Sequence, residues 1–130
     1  MVKQQFPYTF RNQAFVPYLP ITLLKDNRKA TVQGLVDSGS TINVLPYHLG
    51  LDLGGVWDDS LAKLELAGNL SSLVACPFFA EAIIGNFNPV RLAFGWVKAD
   101  IPLILGQVNL FVEFDICFYR KRKTFELTQY

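Results

Sequence analysis

Leu35-Val36-Asp37-Ser38-Gly39-Ser40-Thr41 is the stretch on which the reading of this chain turns. Two apolar residues lead into an aspartate, and Ser38-Gly39 follows at once. An Asp in that setting sits at the exit of a strand, on a tight turn. Gly39 lets the backbone fold back and lets a second backbone come close. The turn's N–H groups are placed to bond the carboxylate, and the hydroxyls of Ser38 and Ser40 add donors nearby. Taken alone, Asp-Ser-Gly is a common loop tripeptide, and its plain reading is an Asx-type turn.

The residues around it are patterned for β structure. Residues 15–24 read as a strand, with Pro17 and Pro20 favouring an edge or a bulge. Lys25-Asp26-Asn27-Arg28 is a polar turn tip, and residues 30–36 return as a second strand. This hairpin delivers Asp37 at its exit. Residues 41–45 are apolar and β-branched and end at Pro46; residues 47–51 suit a short helical turn. After the Gly54-Gly55 break, residues 61–66 alternate as a half-buried strand does. Ala67-Gly68-Asn69 turns the chain, residues 70–84 return, and Gly85-Asn86 turns it again. Residues 90–97 and 101–105 are further strands. Val108, Phe111, Val112 and Phe114 are spaced for a short helix. Residues 116–119 and 124–127 flank the basic tip Arg120-Lys121-Arg122-Lys123 as a final hairpin. Residues 1–14 read as a loosely held arm and 15–130 as one domain.

Composition narrows the function classes. The chain has 130 residues, 51% of them hydrophobic and 18% charged, which excludes a charge-rich disordered segment. Eleven Phe are many for so small a core, and a second copy of the chain is one way to bury them. A formal net charge of +1 offers no field for nucleic acid or an anionic membrane surface. No apolar run approaches the ~20 residues of a spanning helix, and residues 1–10 lack the apolar core of a signal peptide. The expected setting is cytoplasmic or otherwise intracellular and soluble; a domain cut from a membrane-anchored parent would look the same. Cys76 and Cys117 lie in apolar runs and read as buried free thiols. His48, the single histidine, cannot by itself build a serine-type or metal constellation and reads as a surface or structural residue. Trp57 and Trp96 suit the core better than a substrate pocket.

Context changes the reading of the Asp turn. Ile42-Asn43-Val44-Leu45-Pro46 continues the stretch, and Leu103-Ile104-Leu105-Gly106 later leads into the short helix. Two apolar residues, Asp-Ser-Gly-Ser, and a later apolar-apolar-Gly before a helix resemble the retropepsin family of aspartic proteases, the small single-domain relatives of pepsin. The resemblance implies an all-β closed barrel of the pepsin-like fold with one short α-helix near the C-terminus. It implies that Asp37 is catalytic and that Ser38, Gly39, Ser40 and Thr41 support the active loop. Ser38 takes the position whose hydroxyl bonds across to a partner's loop, and a Ser40 hydroxyl donating to the carboxylate would favour its ionised form. Ala67, Gly68, Asn69 and Leu70 fall where the family has its substrate-covering flap; a plain surface hairpin fits them equally. Leu105-Gly106 packs under the loop in the family. No metal and no cofactor are implied.

Peptide hydrolysis by carboxylates needs one ionised and one protonated, titrating as a pair. The chain has one Asp-Ser-Gly, and Asp26, Asp52, Asp58, Asp59, Asp100 and Asp115 lie in other contexts. A dyad therefore requires a homodimer with one Asp37 from each chain on a two-fold axis. Retroviral relatives build part of their dimer sheet from chain ends, so the final hairpin is expected at the interface. The expected partners are a second copy and a peptide or protein substrate, with no nucleic acid and no membrane segment. Two other functions compete: a catalytically silent retropepsin-like module for dimerisation or peptide binding, and an unrelated small β-barrel binding protein.

Overall fold

The computed structural model describes residues 1–66, 70 and 72–130. The hairpin before Asp37 forms as expected: β4 (Tyr18–Lys25) pairs antiparallel with β5 (Arg28–Val36) from Tyr18↔Leu35 to Lys25↔Arg28. Its polar tip is turned by Asp26 at φ 53°, a left-handed conformation that Asp tolerates better than most residues. Pro20 lies outside the 22–24 stretch along which β4 pairs with its second neighbour, so its missing N–H costs no ladder bond there.

Upstream of this hairpin lie β1 (Val2–Pro7), β2 (Thr9–Arg11) and β3 (Ala14–Val16); downstream come β6 (Asn43–Leu45) and α1 (Tyr47–Asp52). The second half holds β7 (Leu64–Glu65), β8 (Val74–Ile83), β9 (Val90–Val97), β10 (Leu103–Leu105), α2 (Leu110–Glu113), β11 (Asp115–Tyr119) and β12 (Thr124–Gln129). The main sheet runs β4-β5-β10-β6-β9-β8-β7, and β4 also pairs with β8. That pairing closes a six-stranded barrel, with β7 attached to the outside of β8. The all-β closed barrel with a short helix near the C-terminus is the architecture expected.

Alternation explains the closure. On β8, Cys76, Phe78, Ala80 and Ala82 point inward, while Pro77, Phe79, Glu81 and Ile83 face out. Val90, Leu92, Phe94 and Trp96 do the same for β9. With Leu19, Leu23, Leu45 and Leu105 they fill the barrel, each large side chain contributing about 1.5–3 kcal/mol on burial. Trp96 is 2% exposed and donates its indole N–H to Tyr47 O, so it is core as expected, while Trp57 is half-buried and bonds Asp59.

Three readings are corrected. Residues 1–14 are not a loose arm: β1 pairs with β12 from Val2↔Gln129 to Pro7↔Thr124, and buried Phe6 stacks on Phe125 at 5.6 Å. β2 and β3 form a tight hairpin through Asn12 and Gln13, both at positive φ. Residues 61–66 give only the short β7, because Asp58 takes the Ser60 N–H and hydroxyl and winds Asp59–Leu61 into a 3-10 turn instead. Cys117 is exposed rather than buried, since it faces outward on β11, the outer strand of the sheet β1-β12-β11. Arg120–Arg122 stays exposed at the tip of the β11–β12 hairpin.

Candidate active site

Asp37 follows the last residue of β5, and its place is set by β10. Leu105 pairs in parallel with Val36, and Leu105 O accepts the Asp37 N–H at 2.9 Å. The turn then closes on the aspartate. Ser40 N–H donates to Asp37 O at 3.1 Å, and Gly39 N–H donates to Asp37 Oδ1 at 2.9 Å. The carboxylate is thus oriented by its own loop and remains half-buried, at the surface. Ser38 and Thr41 are exposed. The Ser40 hydroxyl does not reach Asp37: it donates to Ile42 O at 2.8 Å, which corrects its expected role at the carboxylate. Its nearest acceptor is the backbone two residues on, an ordinary choice for serine in a turn.

The segment after β10 clamps the loop from the other side. Gln107 N–H donates to Ser40 O at 3.0 Å, Gln107 Nε2 to Ser38 O at 2.5 Å, and Val108 N–H to Thr41 O at 2.7 Å. Gly106 lies so close to this loop that an added Cβ would come within 2.8 Å of Ser40 O and of the Ile42 carbonyl carbon. Leu105-Gly106 therefore sits against the loop as the family resemblance implied.

Asn43 completes the assembly. It is fully buried; its Oδ1 accepts Gly106 N–H at 2.8 Å, and its Nδ2 donates to Ala93 O and Asn109 Oδ1, both at 3.0 Å. Asn109 in turn accepts Ala93 N–H and donates to Arg91 O. Asn43, Gln107 and Asn109 were not singled out from sequence. A lone Asn between Ile42 and Val44 in an apolar strand was a signal for the first; the others had none.

Beside the loop lies a cavity of about 260 Å³. Ser40, Thr41 and Ile42 form one wall, Val44 and Leu66 are buried in its lining, and Leu70 contributes from the opposite hairpin. Of the expected flap, Leu70 lines the same cavity as the Asp37 loop, while Ala67, Gly68 and Asn69 lie outside the described residues. A larger recess of about 420 Å³ lies at Tyr47, His48, Lys98, Ala99 and Asp100, and none of the loop residues line it. Among the described residues, no cluster of three His, Cys, Asp or Glu is arranged to hold a metal ion, and no helix is long and apolar enough to cross a membrane.

The closed barrel, with its Asp turn braced by the β10–α2 connection, is a retropepsin-like fold. The crystal structure of a retropepsin-like aspartic protease from Rickettsia conorii matches it with a TM-score of 0.68, over 97% of this chain and 91% of that one. The two are 17% identical, a likeness of fold. No protein-family model and no curated protein sequence matches the chain.

Proposed function

We propose that the chain is an aspartic endopeptidase that acts as a homodimer, each chain supplying one Asp37. The observation that carries this reading is the held carboxylate. Asp37 has its backbone fixed by Leu105 and its Oδ1 fixed by Gly39, and it is half-buried on a loop that lines a cavity of mixed character, with Ser40, Thr41 and Glu65 beside Ile42, Val44 and Leu66. An Asp used merely to close a turn gains nothing from the additional clamp by Gln107 and Val108. One carboxylate per chain is half a dyad, and the second comes from a second copy.

In the dimer the ionised Asp37 takes a proton from water, whose oxygen bonds to the scissile carbonyl carbon. The protonated Asp37 of the other chain gives its proton to the carbonyl oxygen. Collapse of this tetrahedral species breaks the C–N bond, and the amine leaves with a proton from the dyad. Only water is consumed, so no cofactor is needed. The open edge of β11, which exposes Phe118, supports an interface on the final hairpin, since an unpaired edge strand is readily covered by a second copy.

The test compares peptide cleavage by the natural chain and by Asp37→Asn, an isostere that keeps an acceptor for Gly39 N–H. Loss of cleavage with fold and dimer mass retained supports the proposal. Full activity in the variant defeats it.

A further inference from the structure

Two hairpin tips meet at one end of the molecule. The β2–β3 hairpin turns at Asn12 and Gln13, and the β11–β12 hairpin turns at Arg120–Arg122. Tyr8 N–H donates to Lys123 O at 2.8 Å, and the Arg120 guanidinium donates to Phe15 O at 3.1 Å. Lys123 Nζ lies 4.4 Å from the centre of the Phe15 ring. These contacts bring Arg11, on β2, to the same end as Arg120, Lys121, Arg122 and Lys123, which are distant in sequence.

Residues 7–18 and 116–125 contain these five cations and no Asp or Glu. The remaining sequence holds seven Lys and Arg against eleven Asp and Glu. One end is therefore strongly basic and the remainder acidic, which the net charge of +1 conceals. The first acid past the tip, Glu126, lies opposite Cys117 on the sheet and accepts from Gln5 Nε2. All five cations are exposed. Arg11, Arg120 and Arg122 lie over the rings of Tyr18, Tyr8 and Tyr119, at 4.3, 5.5 and 4.2 Å. Their stems are thereby laid along aromatic surface while the charge stays open to solvent. Beside them Phe10 is 61% exposed, its ring resting on Phe15 at 4.9 Å, and it has no part in the barrel core.

We infer that this end is a docking surface for an anionic lipid bilayer, with Phe10 entering the headgroup region and the five cations set against the lipid phosphates and carboxylates. Charge complementarity names the class of partner, and two features select within it. The surface is built from two turn tips and is convex, whereas a nucleic-acid strand is tracked by a basic groove. An exposed aromatic ring among lysines and arginines is the composition of an interfacial anchor. Five charges within a Debye length of the bilayer attract it even though the chain as a whole is nearly neutral. Docking of this kind is independent of what Asp37 does.

The experiment is flotation of the full natural chain with vesicles of phosphatidylcholine alone and of phosphatidylcholine mixed with phosphatidylserine, at low and at physiological salt. Binding is expected on the mixed vesicles only, weakening as salt rises. The double variant Lys121→Gln with Arg122→Gln is expected to bind about 25-fold more weakly, roughly fivefold per charge. Lys29→Gln with Lys63→Gln removes the same charge from exposed positions outside the two tips and should bind like the natural chain. Phe10→Trp reports on insertion: brominated lipid in the mixed vesicles should quench its fluorescence more than that of the natural chain, whose Trp57 and Trp96 are half-buried and buried. No binding to mixed vesicles, equal binding to both compositions, or an equal loss in the two double variants overturns the assignment. So does quenching in Phe10→Trp no greater than in the natural chain. Tighter binding to a single-stranded RNA than to the vesicles gives this end to nucleic acid and overturns it. A lower oligomeric mass in the tip double variant gives it to a second copy, with the same consequence.

Discussion

The carboxamide oxygen of Asn43 accepts the backbone N–H of Gly106 at 2.8 Å inside the barrel, where Asn43 has no exposed surface. This bond joins the strand that follows the Asp37 loop to the glycine that packs against it. The same side chain reaches Ala93 and Asn109, so one residue ties β6, β9 and the β10–α2 connection together. The loop is therefore held by barrel geometry more than by its own turn.

Replacing Asn43 by Leu keeps the volume roughly and leaves Gly106 N–H and Ala93 O without this partner. Unsatisfied buried groups cost about 1–3 kcal/mol each, so Asn43→Leu is expected to lose roughly 3 kcal/mol. Denaturant unfolding of variant and parent checks this. Asn109→Ala, which leaves Gly106 bonded, should lose less.

Gly106→Ala tests the close approach. Its Cβ would press on backbone atoms of Ser40 and Ile42, which cannot rotate away. Overpacking of this sort costs about 1–3 kcal/mol, and here it would also push the loop off Asp37's present position. The expected outcome is lower stability together with a fall in peptide cleavage at unchanged dimer mass.

Much of this arrangement was legible in the sequence. Residues 15–24, 30–36 and 90–97 read as strands and cover most of β4 and β5 and all of β9, and the Asp turn announced itself by its apolar approach and Gly39. What could not be read was long-range. Nothing local says that residues 2–7 find β12, because Val2-Lys3-Gln4-Gln5 has little apolar patterning of its own and is held by a strand at the far end of the chain. The clamp by Gln107 was hidden for the same reason: a glutamine after a glycine gains meaning only when β10 lies beside β5. Ser40 was misassigned because its hydroxyl bonds Ile42 O, a backbone acceptor whose position only the folded turn sets.

Asp58 offers a pH test outside the active loop. The Ser60 hydroxyl and N–H both donate to its carboxylate, and hold its pKa below the ordinary value of 3.8. With the folded value depressed, the 3-10 turn gains stability that is present above the unfolded pKa. That gain is lost as pH falls through the folded value. NMR titration should give a midpoint below 3.8 for Asp58, returning toward it in Ser60→Ala.

Deletion of the chain after Tyr119 would not separate assembly from folding, because Phe125 and Leu127 of β12 are fully buried. Phe118→Asp is the cleaner probe of the proposed interface, since Phe118 lies on the open strand β11. It is expected to shift the mass in sedimentation toward one chain and to remove cleavage in the same step. A monomeric variant that still cleaves peptides would contradict a shared site.

Mixing tests the central claim most directly. A fixed amount of the natural chain is equilibrated with an equal amount of Asp37→Asn chain, and peptide cleavage is measured. If each active site takes one Asp37 from each of two chains, random pairing leaves about half of the natural chains with a natural partner, and the rate falls to about half. A rate unchanged by the added variant, although the chains are shown to exchange, would contradict the account.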